Sequence, residues 1–166
     1  DLALQSSYCP QLVNLLLNKF PAIELDLQDE RGETPLLKAV KSSEGDKVEV
    51  IEALLDAGAS PNAIDDKGST ILHCTVHKPE IMSFILDKRV EFGVNIEKRD
   101  SNECKALSVA AEQGALESVV LLVTAGAAVN NIDGKTSTIL HCAAESEDII
   151  RFILENKKEV RPDEKD

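Results

Sequence analysis

The hexapeptide Ser69-Thr70-Ile71-Leu72-His73-Cys74 recurs letter for letter as Ser137 to Cys142. A His beside a Cys, twice over, admits three readings. The pairs could be two halves of a metal site, or a nucleophile beside its base. They could also be the punctuation of a repeated fold. Spacing separates these readings. Thr70 to Thr138 is a step of 138 − 70 = 68, and related segments lie midway. Leu36 sits in GETPLLKAV, Leu72 in GSTILHCTV, Leu107 in CKALSVAA and Leu140 in TSTILHCAA, at steps of 36, 35 and 33. A period in this range marks stacked supersecondary units, each too small to bury its own apolar face.

A second landmark follows each of the first three. VEVIEALLDAGASPNAIDDKG follows Leu36, EIMSFILDKRVEFGVNIEKRD follows Leu72, and LESVVLLVTAGAAVNNIDGK follows Leu107. Each unit therefore reads as a turn, a short helix, a second short helix and a loop ending in Asp-rich turn residues. Thr34-Pro35 is a helix start: the Thr hydroxyl accepts an orphan amide hydrogen, and Pro lacks the N–H that would go unpaired there. Thr70 and Thr138 keep the cap and replace Pro with Ile. Leu36, Ala39 and Val40 form one apolar stripe, and Val48, Ile51, Leu54 and Leu55 another. Gly58 and Gly126 follow helix ends, where a left-handed residue is wanted.

These features resemble the ankyrin repeat family. The resemblance rests on Thr34-Pro35-Leu36, Leu54-Leu55 with Ala57-Gly58-Ala59, Thr70-Ile71-Leu72-His73, Leu121-Leu122 with Ala125-Gly126-Ala127 and Val129-Asn130, and Thr138-Ile139-Leu140-His141. It covers nearly the whole chain. It implies an all-α solenoid of stacked helix-turn-helix units with protruding β-turn fingers. The segment 1–28 reads as an N-terminal partial, capping-like repeat. Full repeats follow at 29–64, 65–99 and 100–132, and 133–166 holds a C-terminal repeat and the start of a further turn or tail. Five helix pairs are expected: Leu2 to Asn18, Pro35 to Asp56, Ile71 to Asp87, Ala106 to Thr124 and Ile139 to Glu155. The first, third and fifth align without gaps and share a shortened link between helices. Ser43-Glu44-Gly45 reads as an insertion in the second. An alternating pair of about 68 residues is thus a candidate ancestral unit.

Departures from the pattern are equally specific. Lys105-Ala106 replaces Thr-Pro, so the fourth pair should lack a side-chain cap. Leu37 and Ser108 stand where the signature has His. Asn95 to Leu107 spans 12 residues against 10 for Asn62 to Leu72, so the finger Glu97 to Glu103 is expected to protrude or move. Cys104, beside it, is placed at the surface on this reading.

In the family, the His after Thr-x-Leu bonds the Thr hydroxyl and a neighbouring loop's backbone. That role falls on His73 with Thr70 and on His141 with Thr138. The metal reading fares worse, because adjacent helical residues point about 100° apart. The two copies would also lie roughly 20 Å apart if each repeat advances by about one helix diameter, whereas zinc needs four grouped ligands. No cofactor or metal site is expected. A Cys-His nucleophile would further need an oxyanion donor and an orienting acid, and no such motif is present. The four cysteines, Cys9, Cys74, Cys104 and Cys142, include no C-x-x-C pair and suggest reduced thiols in the cytosol or nucleus.

Composition narrows the function. Apolar residues make up 43% of the 166, enough for a real core, and aromatics only 3%, which suits packed helices. The net charge of −12 argues against nucleic acid, whose phosphates need Lys and Arg, and against an anionic membrane surface. The uncharged run Ser118 to Ile132 falls short of the ~20 apolar residues of a membrane span. The resemblance implies protein–protein recognition through the concave face. A partner with a basic surface or segment would complement the charge. The chain starts at Asp1 and its tail RPDEKD stops where another turn would begin, so a module of a larger protein is expected. The other expectation is a stand-alone regulator similar to the inhibitor-of-kappa-B proteins. Mapping finger tips and exposed ends of first helices gives candidate contacts: Glu30, Arg31, Glu33 and Lys41; Asp66, Lys67, Ser69, His77 and Lys78; Asn102, Glu112 and Gln113; and Lys135, Ser137 and Glu145. Arg31 is the favoured anchor, because Arg is enriched among energetically dominant contacts.

Overall fold

The computed structural model describes Leu15, Lys19 and residues 23–42, 48–129 and 138–156. The first expected helix pair apart from the helical Leu15, the insertion at Ser43 and the finger holding Lys135 and Ser137 lie outside these residues. The helices are α1 (Pro35–Lys41), α2 (Val48–Asp56), α3 (Ile71–Cys74), α4 (Pro79–Asp87), α5 (Arg89–Phe92), α6 (Ala106–Glu112), α7 (Leu116–Thr124), α8 (Ile139–Cys142) and α9 (Glu147–Glu155). They form an all-α stack of successive helix pairs: α1/α2, α3/α4, α6/α7 and α8/α9. No strand occurs among the described residues beyond an isolated Arg99–Lys105 bridge.

The inner helices alternate in length. Seven residues form α1 and α6, and four form α3 and α8. The shortened links read from the sequence account for this: α3 to α4 starts are 79 − 71 = 8 residues apart, against 116 − 106 = 10 for α6 to α7. Thr34 caps α1 as expected, its Oγ1 accepting from the Leu37 amide at 3.3 Å. Lys105 precedes α6 without a side-chain cap, also as expected.

One apolar cluster runs through the whole stack. Val40, Ile51, Met82, Ile85, Ala110, Val119, Leu122 and Ile149 are sealed from solvent. The chain thus has the continuous core of a solenoid, built from neighbours rather than from any one pair.

The fingers correct the expectation of a longer loop. Asp29, Asp65 and Asp100 each organise one turn. Asp29 Oδ1 accepts from the amides of Arg31 (2.9 Å) and Glu33 (3.0 Å). Asp65 Oδ1 accepts from Lys67 (2.9 Å) and Ser69 (2.8 Å), and Asp100 Oδ1 from Asn102 (2.9 Å) and Cys104 (2.8 Å). From each Asp to the following helix cap is the same distance: 34 − 29, 70 − 65 and 105 − 100 all equal 5. The additional residues of the third repeat lie upstream, coiled into α5. Lys88 anchors that turn, bonded to Glu52 at 2.6 Å and lying 5.3 and 5.6 Å from the ring centroids of Phe84 and Phe92. Cys104 is buried, at 4% exposure, because its own amide is drawn in by Asp100.

Glu103 holds the place that Gly32 and Gly68 hold in the preceding fingers, at φ 60°. It is the one non-glycine residue with positive φ among those described. Side chains resist this conformation by about 1–2 kcal/mol. Glu103→Gly should therefore raise stability by roughly 0.5–1 kcal/mol, the relief being partly offset by added backbone entropy in the unfolded chain. Urea denaturation of the two proteins measures the difference; a loss of stability would contradict the strain.

Candidate interaction surface

Two ladders hold the fingers and loops in register. At the tips, the Asp66 amide donates to the Arg31 carbonyl (3.3 Å) and the Ser101 amide to the Lys67 carbonyl (3.0 Å). On the loops beneath, one side chain per repeat accepts from an amide of the next. Asp26 takes the Ser60 amide (2.9 Å), Asn62 the Asn95 amide (2.8 Å) and Glu97 the Ala128 amide (2.8 Å). Asn62 also donates to the Gly93 carbonyl at 2.7 Å. Glu97 is paired in addition with the nearly buried ammonium of Lys105. The finger Glu97 to Glu103, expected from its length to protrude or move, is thus tied on both sides. These Asp, Asn and Glu positions were not singled out from the sequence, although the steps 65 − 29 = 36 and 100 − 65 = 35 repeat those of the leucines.

The STILHC hexapeptide works at the same seam. His73 Nδ1 lies 2.8 Å from Thr70 Oγ1 and 3.3 Å from the Thr70 amide. Nε2 lies 3.1 Å from the Cys104 carbonyl on the next repeat. A carbonyl can only accept, so Nε2 carries the proton and Nδ1 is the acceptor. Both ring nitrogens are thereby engaged within the fold. The neighbouring Cys74 thiol is pushed up to about 11 by burial, so it stays protonated at neutral pH. The second copy repeats the local part, with His141 Nδ1 at 2.9 Å from Thr138 Oγ1.

Burial pulls the His73 pKa below 6.5, against the opposing pull of the Cys104 carbonyl. The folded state prefers the neutral ring. Its contribution to stability is present above the unfolded value near 6.5 and is lost as pH falls through that value towards the lower folded one. His73→Ala should cost roughly 1–3 kcal/mol at pH 7.5 for three lost hydrogen bonds. It should also flatten the fall in stability between pH 7 and 5, which denaturant titrations across that range will show.

Several predicted contact residues are committed to the fold. Lys41 bridges Glu33 of its own finger (2.7 Å) and Asp65 of the next (2.6 Å). Burial works against the Lys41 ammonium, but the bonds to Asp65 and Glu33 prevail and hold its pKa well above the ordinary lysine value. Lys78 reaches back to the Val40 (2.6 Å) and Ser42 (2.7 Å) carbonyls, closing the C-terminal end of α1. Ser69 is half-buried and donates its amide to Asp65. Glu30, Arg31, Asp66, Lys67, His77, Asn102, Glu112, Gln113 and Glu145 are exposed. The finger tips supply Glu30, Arg31, Asp66, Lys67 and Asn102. The ends of the inner helices supply the others.

A stack of helix pairs that aligns finger tips and inner-helix ends on one side defines a repeat-type recognition scaffold. A family model described as "Ankyrin repeats (3 copies)" matches residues 2–100 and 79–166. The chain belongs to the ankyrin repeat family and is a protein-interaction module. It is 34% identical over 131 residues to the B-cell lymphoma 3 protein homolog of Mus musculus, covering 76% of this chain and 29% of that protein. It is 30% identical over 146 residues to the Nuclear factor NF-kappa-B p105 subunit of Gallus gallus, covering 84% and 14% respectively. It is 27% identical over 146 residues to the NF-kappa-B inhibitor delta of Mus musculus, covering 74% and 43%. The chain spans under a third of the first two of these relatives. No helix among the described residues is long and apolar enough to cross a membrane.

Proposed function

We propose that this chain is the recognition module of a larger protein and binds a basic segment of a protein partner along its concave face, without catalysis of its own. Charge distribution carries the proposal. Between Ala106 and Asn156 the sequence has seven acids (Glu112, Glu117, Asp133, Glu145, Glu147, Asp148, Glu155) against two bases (Lys135, Arg151). Glu112 and Glu145 are exposed where α6 ends and just beyond α8, on successive repeats. A Lys- or Arg-rich segment laid across the stack would meet them in turn, gaining steering and register from the charge. Finger-tip residues Arg31 and Lys67 would contact acidic or polar groups at the other end of the same segment.

A stand-alone regulator that masks a basic segment of its partner is the second reading. Similarity to a protein named NF-kappa-B inhibitor delta favours it. Either form would act in the cytoplasm or nucleus.

Affinity capture from cell extract, followed by titration of the recovered partner, tests the proposal. Glu112→Lys with Glu145→Lys should weaken binding on the order of tenfold or more, and raising salt should weaken the wild-type complex. Arg31→Glu with Lys67→Glu should shift affinity as well. Binding indifferent to all four substitutions and to salt would reject the concave face.

A further inference from the structure

The outer face of the last described helix pair has the composition of an interior one. Leu36, Leu72 and Leu107 hold equivalent places in three inner helices and are 1%, 1% and 4% exposed. Leu140, next in that column, is 36% exposed. Val40, Val76 and Ala111 form a second buried column, and Ala144, which continues it, is exposed. Leu55 and Leu86, both 4% exposed, are followed in that column by the half-buried Val123 and then by Leu154 at 48%. The ring of His73 is half-buried, with Nε2 on the Cys104 carbonyl of the following repeat. His141 keeps the Thr138 contact but is exposed.

What these four positions lose is what the following repeat provides elsewhere in the stack. A terminal repeat that ends a solenoid needs a polar outer face to stay soluble. This one presents two leucines, an alanine and an imidazole in the register of an internal interface. We propose that the face formed by Leu140, Ala144, Leu154 and His141 is a stacking interface, covered by a further ankyrin-type helix pair of the same polypeptide after Asp166. That pair would bring apolar side chains against Leu140 and Leu154 and a backbone carbonyl to His141 Nε2. Continuity with the preceding interfaces favours a covalently following pair, which arrives in the register that the 33- to 36-residue steps impose.

The test compares the 166-residue chain with a polypeptide extended by the next ~35 residues of its own reading frame, about one repeat. Leu154→Glu should be nearly neutral in the short chain. In the extended one it should lower the folding equilibrium constant at least tenfold more. The His141 Nε2–H, followed by NMR, should exchange with water more slowly on extension. Leu140→Glu serves as a second probe of the same face should Leu154→Glu prevent folding. A reading frame that stops at Asp166 would overturn the proposal. So would equal costs of the substitutions in both lengths with unchanged exchange of the His141 ring proton. Sedimentation of the short chain adds one more outcome: a dimer dissolved by Leu154→Glu would assign the face to a second copy and also overturn it.

Discussion

Gly68→Ala is expected to destabilise the chain by about 2–3 kcal/mol, well beyond what its backbone conformation alone would cost. Gly68 sits at φ 70° at the tip of its finger. A Cβ there would lie 2.5 Å from the Ser101 amide nitrogen and 2.7 Å from Ser101 Oγ. The first of these is backbone and cannot rotate away. The next finger must therefore retreat, weakening the bond between the Ser101 amide and the Lys67 carbonyl. Gly93→Ala is the control. Its φ is 68°, almost the same, but a Cβ there meets nothing within 4 Å. It should cost only the conformational part, about 1 kcal/mol. Chemical denaturation of both variants isolates the finger contact as their difference. Equal losses would show that the fingers do not depend on close stacking.

Ile85→Ala should cost about 2–5 kcal/mol, the range for truncating a sealed aliphatic side chain. Ile85 is 0% exposed in α4, part of the cluster shared with the flanking pairs. The cavity would open in the middle of the stack. Stability in a solenoid is a sum of repeat and interface terms, so weakening a central interface should also uncouple the two ends. Urea unfolding followed by circular dichroism should shift to lower midpoint and broaden. A sharp transition at an unchanged midpoint would mean that the core at α4 is not shared between repeats.

The helices were legible because their causes are local. Thr34-Pro35, the 3–4 spacing of Val48 to Leu55 and the duplicated hexapeptide mark starts and faces without reference to distant residues. The bounds of four pairs follow from them. Finger lengths are not legible, because Asn95 and Asn62 share a residue type without holding equivalent places. In space Glu97, not Asn95, takes the place of Asn62, since both accept an amide two residues past a loop glycine of the next repeat. The displaced residues became α5. The burial of Cys104 is hidden in the sequence for the same reason.

The candidate contact surface divides along the same line. Glu30, Asp66, Glu112 and Glu145 are exposed where helix and finger geometry alone would put them. Lys41 and Lys78 read as equally open in the sequence. Their partners, Asp65 and the carbonyls of Val40 and Ser42, are 24 to 38 residues distant and meet them only when repeats stack. By itself the sequence determined the repeat, its period and the class of protein, because periodicity and capping are properties of neighbouring residues. Only the tertiary structure decided which charges are spent inside the stack, which carbonyl His73 meets on the next repeat, and that the last pair still shows an interior face. Those outcomes depend on contacts across a whole repeat, which no local pattern encodes.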